Sequence, residues 1–206
     1  MQMGGGHSGL SEATKKEAEA RAKMEKRLRD IEFRYQDEKV EHGLALDKDG
    51  NILEHNKGEE GQVGISSNLL DNEDAIFTHN HPDYEMDGYS WNGGVFSDAD
   101  VEIISRHPNL LEFRAVDTKR GYALRRIVPP SQARGKDFYA AYAKAWDEQA
   151  EKAEVFSSKM MDSGKFNDTD GSYQTMCFTR FNKGMRKWLR NNAKKYGYEY
   201  REYNAR

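Results

Sequence analysis

Two histidines and an aspartate stand at spacings that suit a bound metal ion. His79 and His81 are two residues apart, so on an extended backbone both imidazoles project to one side and can reach one ion at about 2.0–2.1 Å. Asp100 follows Ser97 by three residues, which places its carboxylate one turn into a helix that begins at Ser97. Two nitrogens and one oxygen leave a fourth tetrahedral position for water, which is typical of a catalytic zinc site.

Other ions and other ligands fit this pattern less well. A hard, six-coordinate cation would need more oxygen ligands. Asp98 is a rival to Asp100 as the carboxylate ligand, but an acidic residue at Asp98 is already explained by the start of the helix. The remaining histidines are interpreted as having no role in the site: His7, His42, His55 and His107.

Hydrolysis of an amide bond also needs a base that takes a proton from water and returns it to the leaving amine. Glu41 stands where a helical pattern gives way to a strand pattern, and it is the candidate. Glu54, Glu59 and Glu60 are the fallback candidates. The Ser97 hydroxyl can stabilise the developing oxyanion.

The order of these residues resembles that of a known family. A glutamate, then His-x-His-Pro at 79–82, then Ser-x-x-Asp at 97–100 resembles the JAB/MPN (JAMM) zinc metalloprotease domain over roughly residues 40–128. The segments 41–47 (EHGLALD) and 79–82 (HNHP) are most similar to its RadC-like and phage or mobile-element branches.

The resemblance implies a fold and an activity. The family fold is a curved β-sheet flanked by helices, of the cytidine-deaminase-like kind, and the family cleaves peptide or isopeptide bonds, often next to ubiquitin-like modifiers. It implies Zn²⁺ bound by His79, His81 and Asp100, a zinc-bound water activated by Glu41, and an oxyanion supported by Ser97. The expected partner is then a protein or peptide substrate, a ubiquitin-like conjugate being one form of it.

The segment 83–96 is longer than the usual gap in that family. A longer loop adds little closure entropy, so the metal site tolerates it. Three of its aromatic residues suit a lid or a substrate-binding rim, and its three acidic residues would favour a basic substrate segment. A solvated surface loop is the alternative interpretation. Those three aromatic residues are Tyr84, Tyr89 and Trp91.

The surrounding sequence predicts an α+β fold in four segments. Apolar residues recur at helical spacing before residue 40, with Ser11 as the N-cap, and Pro129-Pro130 marks a later boundary. The predicted segments are a flexible glycine-rich leader at 1–10, an N-terminal helix at 11–40, the JAB/MPN-like domain at 41–130 and a C-terminal helical extension at 131–206.

Alternation and capping residues predict the elements within these segments. A turn with Asp49-Gly50 joins the first two strands, and Gly197 ends the last helix. The predicted strands are 42–47, 52–55, 74–78, 111–116, 122–128 and 198–203, and the predicted helices are 97–105, 135–161 and 173–196.

The last long helix is strongly basic and carries Trp188 and Tyr196 among its cations. Such a surface can bind nucleic acid or an acidic partner. We favour the simpler interpretation, in which the cations form the solvated side of an amphipathic helix. The basic residues are Lys183, Arg186, Lys187, Arg190, Lys194 and Lys195.

Composition limits the function classes. The 206 residues carry a net charge of −3, so the whole protein makes no case for binding nucleic acid or an anionic membrane. Cys177 is the single cysteine, which favours a reducing, cytoplasmic location. No stretch approaches the roughly 20 apolar residues of a membrane span. The narrow apolar stripe of the N-terminal helix would suit a homodimer.

Three functions therefore remain in competition. The first is a zinc-dependent peptide or isopeptide hydrolase. The second is a catalytically idle JAB-like binding module, associated with phage or DNA, which the basic helix favours. The third is a toxin or processing domain of a larger polypeptide, suggested by the glycine-rich start at Gly4, Gly5 and Gly6.

Overall fold

A six-stranded mixed sheet with helices on both faces forms the centre of the protein, in a computed structural model that describes residues 12–58, 63–86, 89–91, 93–164 and 171–205. The helices are α1 (Glu12–Tyr35), α2 (Ser67–Leu70), α3 (Asp98–Arg106), α4 (Gly135–Asp162) and α5 (Ser172–Asn192). The strands are β1 (His42–Leu46), β2 (Ile52–Lys57), β3 (Ile76–Asn80), β4 (Tyr84–Met86), β5 (Tyr89–Trp91), β6 (Glu112–Val116), β7 (Arg120–Arg126) and β8 (Tyr198–Asn204).

The strand order in the large sheet is β2-β1-β3-β6-β7-β8, and β4 pairs separately with β5. Strands β3 and β6 run parallel, with Ile76 opposite Glu112, whereas the other neighbours are antiparallel. The predicted α+β class and the N-terminal and C-terminal helices are confirmed. The predicted strand 198–203 is also confirmed as β8, which lies at one edge of the sheet.

The turn between β1 and β2 shows why the local sequence folds as predicted. The Asp47 carboxylate accepts backbone N–H groups from Asp49 at 2.9 Å and Asn51 at 2.8 Å. Gly50 adopts φ +78°, a region that favours glycine. The sequence from Asp47 to Asn51 therefore fixes the register in which His42–Leu46 pairs with β2.

The larger core lies between one face of the sheet and helices α3, α4 and α5. Phe77 and Phe113 from the sheet, Phe96 from the loop before α3, and Tyr142 from α4 are all nearly inaccessible to solvent. The core therefore continues across residue 130, and β8 pairs with β7 along seven residues. The segment 131–206 contributes both core side chains and a strand to the sheet that carries the other elements.

Helix α1 covers the opposite face of the sheet. Leu28 and Ile31 pack against Leu44, Leu46 and Ile76. The narrow apolar stripe predicted from the sequence is thus the side of α1 that contacts the sheet within the chain.

A buried ion-pair network reinforces that contact. The Arg114 guanidinium donates to Glu32 through Nε at 2.6 Å and Nη2 at 3.2 Å, and to Glu112 through Nη1 at 2.5 Å. Its two terminal nitrogens also reach the Glu25 carboxylate at 3.1 Å. Tyr203 on β8 donates its hydroxyl to Glu32 at 2.8 Å. Helix α1 is therefore joined to β6 by buried ion pairs and to β8 by the hydrogen bond from Tyr203.

Two features differ from the expectation or lie beyond the described residues. The predicted loop 83–96 contains the hairpin β4–β5, consistent with the strand preference of its tyrosines and tryptophan. The proposed N-cap Ser11 and the leader 1–10 lie outside the described residues. Among the helices of the described ranges, none combines the length and apolar character that crossing a bilayer requires.

Candidate metal centre

The two histidines lie at the C-terminal end of β3: His79 is within the strand and His81 directly follows it. His79 is opposite Gly43 on β1 and Ala115 on β6, so it sits between two hydrogen-bonded neighbours. The His81 N–H donates to the Val116 carbonyl at 2.8 Å, which continues the parallel pairing just past the strand. Because side chains alternate along an extended strand, both imidazoles face the side of the sheet that carries the larger core.

The start of α3 supplies the third ligand. Ser97 is the N-cap, and its Oγ accepts the Asp100 N–H at 3.1 Å. In return, Asp100 Oδ2 accepts the Ser97 N–H at 2.7 Å. This reciprocal capping box holds the Asp100 carboxylate at the beginning of the helix, beside the histidines. Asp98, the rival ligand, is exposed to solvent.

Three ligand atoms converge at this point, all within 4.8 Å of one another. His79 Nε2 is 2.8 Å from His81 Nε2 and 3.2 Å from Asp100 Oδ1, and His81 Nε2 is 3.3 Å from Asp100 Oδ2. Neighbouring ligands of a tetrahedral ion with bonds of 2.0–2.1 Å are about 3.3 Å apart. The two nitrogen–oxygen distances, which go to different oxygens of the Asp100 carboxylate, are close to this value, and the nitrogen–nitrogen distance is shorter by about 0.5 Å. This buried group can bind a metal ion.

The second nitrogen of His81 fixes which atom faces the group. His81 Nδ1 lies 3.0 Å from the Gly94 carbonyl, which can only accept a hydrogen bond, so Nδ1 carries the proton. Nε2 is then the nitrogen that faces the centre, where it can bind a metal ion in place of a proton.

Packing orients the other ring. His79 Nδ1 is buried without a hydrogen-bond partner among the described residues. Its ring stacks on Phe77 at a centroid distance of 5.3 Å and meets the edge of Phe113 at 5.3 Å. Packing against the two phenylalanine rings therefore fixes the orientation of the His79 imidazole.

Two glycines and an asparagine form the support behind His81. A Cβ on Gly93 would lie 2.1 Å from the His81 Cβ, and Gly94 adopts φ +77°. Asn182 on α5 accepts the Val95 N–H at 3.0 Å and so anchors this turn to a helix 87 residues further along the chain. Sequence reasoning missed these residues. The Gly-Gly pair was the available signal, whereas nothing local points to Asn182.

Charge in the group favours a proton or a cation between the ligands. Burial opposes a charged imidazole, but the Asp100 carboxylate, the Gly94 carbonyl and the charge of Glu41 raise the pKa of His81 to about 9. Burial likewise opposes ionisation of Asp100, yet the neighbouring His79 and His81 hold the pKa of its carboxyl well below its usual value. The site is therefore electrostatically suited to a positive ion.

Glu41 lies next to this group. It is 7% exposed, and its charge contributes to the raised pKa of His81. Glu41 directly precedes β1 and lies two residues before Gly43, which is opposite His79 on β3. The three predicted ligands therefore meet in one group, and Glu41 lies close enough for its charge to act on His81.

The fallback candidates for the base include one residue that the structure describes. Glu54 on β2 accepts hydrogen bonds from Asn56 at 2.6 Å and Ser66 at 3.3 Å, which gives its carboxylate a local structural role. Glu59 and Glu60 lie outside the described residues.

The three aromatic residues of the predicted substrate rim fall on the small hairpin. Tyr84 is paired with Trp91 and Met86 with Tyr89 across β4 and β5. The side chains of these residues lie outside the described part of the chain.

Four basic residues of the last long helix fall into two sets with different surroundings. Arg186 and Arg190 lie 4.0 Å and 3.2 Å from the Glu202 carboxylate on β8. Lys183 and Lys187 instead line a groove between α4 and α5. Two of the six predicted basic residues, Arg186 and Arg190, are therefore engaged in holding the helix to the sheet.

Comparisons with protein-family models, with curated proteins and with solved structures found no match. The chemistry available to the centre therefore follows from its own donor atoms, their separation and their surroundings.

Proposed function

We propose that this protein is a zinc-dependent metallohydrolase of the JAB/MPN (JAMM) type, with the corresponding fold, which cleaves a peptide or isopeptide bond. The observation that carries the proposal is the convergence of His79, His81 and Asp100 in a buried group, with Glu41 beside it. Buried ionisable residues that meet in this way are concentrated at functional sites.

The donor set favours zinc among the common ions. Imidazole nitrogen is a preferred ligand of zinc, whereas magnesium and calcium take mainly oxygen ligands. Three protein ligands leave one position open, which distinguishes a catalytic from a structural zinc site. The backbone carbonyl that fixes the tautomer of His81 matches the support that such ligands usually have.

The residues around the group can divide the work of hydrolysis. Zinc bound there would supply a Lewis acid and lower the pKa of a water molecule toward neutrality. Glu41 would accept a proton and return it to the leaving amine. Ser97 Oγ accepts the Asp100 N–H, so its own hydroxyl proton is available for an oxyanion.

The substrate in this proposal is a protein or peptide, and a ubiquitin-like conjugate is one candidate. The β4–β5 hairpin begins at Tyr84, three residues after His81, so it can contact a substrate bound at the group. Asp83 and Glu85 at this hairpin would favour a basic segment of the substrate.

A glutamine at position 41 tests the enzyme directly. The probe is a library of synthetic peptides that contains both ordinary and lysine isopeptide bonds, with products read by mass spectrometry. Glu41→Gln should retain zinc and lose about 10²- to 10⁴-fold in rate, because it removes the general base. The matched control is Glu54→Gln, which should retain both zinc and activity. Wild-type rates in Glu41→Gln would refute the proposed mechanism.

A binding module is the second candidate function, and the groove between α4 and α5 favours it. The groove has a volume of about 660 Å³, contains Phe156, and has the Arg180 guanidinium 4.6 Å from that ring. Five cations and one acidic residue line it, a combination of charge and aromatic surface that suits single-stranded nucleic acid. The cations are Lys152, Lys159, Arg180, Lys183 and Lys187.

Charge reversal separates this candidate from non-specific attraction. Fluorescence anisotropy with a single-stranded DNA oligonucleotide at low salt should show binding that the double variant Lys183→Glu/Lys187→Glu loses. The control Lys194→Glu/Lys195→Glu makes the same charge change outside the groove and should retain binding. Equal losses in both variants, or no binding by the wild type, would eliminate the groove as a nucleic-acid site.

A further inference from the structure

We propose that Asn80, the residue between the two histidines, is a positioning residue that fixes the main chain on both sides of Glu41. The inference rests on the proposed function, because it assigns Asn80 to the base of that reaction. It also gives the intervening residue of the His-x-His pair a task separate from metal binding.

The Asn80 side chain makes hydrogen bonds to the main chain on both sides of Glu41. Its Oδ1 accepts the His42 N–H at 2.6 Å, and its Nδ2 donates to the Val40 carbonyl at 3.1 Å. That N–H and that carbonyl belong to the two peptide groups that flank the Glu41 Cα. One carboxamide, itself 1% exposed, therefore holds both peptide groups from which the Glu41 side chain projects.

Regular structure ends at Glu41, where the main chain is held in two ways: the Glu41 carbonyl accepts the Gly58 N–H at 2.8 Å, and the Asn80 carboxamide binds the groups on either side. Helix α1 stops at Tyr35 and β1 starts at His42, so residues 36–41 belong to neither. The pairing of β1 with β3 runs from Gly43 opposite His79 to Leu46 opposite Ile76. The Asn80 side chain extends the attachment between β1 and β3 past the end of that ladder.

An asparagine fits this position for chemical reasons. The site needs one acceptor and one donor in the same short, planar group, which the carboxamide provides. Aspartate would keep an acceptor for His42 but would place an oxygen against the Val40 carbonyl. By alternation Asn80 also faces away from the side that carries His79 and His81, so replacing it removes no ligand atom.

The test compares Asn80→Leu with Thr78→Val. Thr78 lies on the same strand and the same face, is equally buried, and donates to Glu32 at 2.9 Å without contacting the Glu41 segment. With the peptide found in the library screen, Asn80→Leu should retain one zinc per chain and lose about 100-fold in kcat with little change in KM, because the base is misplaced. Thr78→Val should lower Tm and leave kcat near the wild-type value.

A second readout needs no substrate. With Co²⁺ as the probe ion, paramagnetic broadening of the Glu41 side-chain carbon signal in NMR reports its distance from the site. The signal should be strongly broadened in the wild type and in Thr78→Val, and clearly sharper in Asn80→Leu. Unchanged broadening in Asn80→Leu would overturn the positioning role, as would a loss of kcat in Thr78→Val as large as that in Asn80→Leu.

The outcomes separate this inference from the proposed function. A fully active Glu41→Gln variant defeats the function itself. If Glu41→Gln is inactive while Asn80→Leu has the wild-type rate, only the inference fails. In the double variant, Asn80→Leu should add no further loss to Glu41→Gln, since both act through one carboxylate. If Asn80→Leu does not fold, Asn80→Asp takes its place, with a loss of kcat expected and wild-type kcat and broadening as the contradicting result.

Discussion

The orientation of His81 depends on the main chain at Gly94. The Gly94 carbonyl fixes the tautomer of the His81 imidazole. Gly94 itself has a φ of +77°, a backbone conformation that residues with a side chain rarely adopt. An added Cβ would also lie 2.6 Å from Asn182 Oδ1, the atom that anchors this turn. The proposed metal centre therefore relies on a residue that contributes no ligand.

We predict that Gly94→Ala weakens zinc binding by about 10- to 100-fold, which is the usual effect of disturbing the partner of a metal-bound histidine. Competition with a chelator measures the affinity. The control is Gly164→Ala, which also replaces a glycine of positive φ, 69°, but has open space around the added Cβ. Equal zinc affinities in the two variants would show that the Gly94 carbonyl does not support His81.

Single residues also show what the sequence can and cannot predict about the site. His79, His81 and Asp100 were predictable because strand alternation and helix capping are local rules, and local spacing determines where such side chains point. The anchoring of Val95 by Asn182 was not predictable, because it depends on how α5 packs against a turn far away in sequence.

At the scale of elements, α1 is attached to the sheet by charge as well as by apolar contact. Arg114 is fully buried and shares its guanidinium among three carboxylates. Removal of one partner from a buried ion pair leaves the others desolvated and uncompensated.

Arg114→Met should therefore lower the free energy of unfolding by about 3–5 kcal/mol, measured by urea denaturation. Arg29→Met is the control, because Arg29 is half exposed and pairs with Glu25 at 3.2 Å. It should cost no more than about 1 kcal/mol. A similar small loss in both variants would mean that the buried network adds little to the attachment of α1.

The same network predicts a pH dependence. Burial alone would raise the pKa of Glu25, but hydrogen bonds and charge from Arg114, with help from Arg201 and Arg29, lower it from 4.5 to about 2. Because the folded pKa is depressed, the stabilisation is complete above pH 4.5 and is lost as the pH falls toward 2.

Glu25→Gln tests this dependence by urea denaturation at several pH values. The variant should be less stable than the wild type at pH 7, and the difference should shrink as the pH falls from 4.5 toward 2. A difference that stays constant over this range would show that Glu25 is not ionised in the network.

Elements were predictable where periodicity was strong and uncertain where it was short. The apolar spacing of α1, α4 and α5 indicated helices, and alternation indicated β6 and β7. The three-residue strands β4 and β5 were expected as loop, since a three-residue pattern is too short to distinguish a strand from a connection. The Arg114 network was also missed, because charged residues spaced widely in sequence give no local signal of pairing.

At the scale of the whole molecule, the sheet and the C-terminal helices form one core. Phe138, Tyr142, Met185 and Leu189 from α4 and α5 belong to the same buried cluster as Phe113 from the sheet. The boundary marked by two prolines near residue 130 separates segments along the chain, yet side chains from both sides meet in space. The change in amino-acid composition marks this boundary along the chain. It does not show whether the two segments pack against each other.

We therefore predict that residues 12–130 do not form a stable fold alone. Their sheet would expose the face that α4 and α5 cover and would lack β8. The expected result is loss of near-ultraviolet circular dichroism and poor dispersion in NMR spectra, compared with the full chain. A cooperative unfolding transition in residues 12–130 would show instead that the C-terminal segment is an addition to an independent domain.

We propose that His79, His81 and Asp100 hold one zinc ion in a site with an open position, which X-ray absorption at the zinc edge can measure. The prediction is about one zinc per chain, with nitrogen and oxygen ligands at about 2.0–2.1 Å and a signal from two imidazoles. Asp98→Asn should preserve this spectrum and Asp100→Asn should lose it. A full chain that retains no zinc, or whose zinc shows no imidazole ligands, would rule out the proposed zinc site.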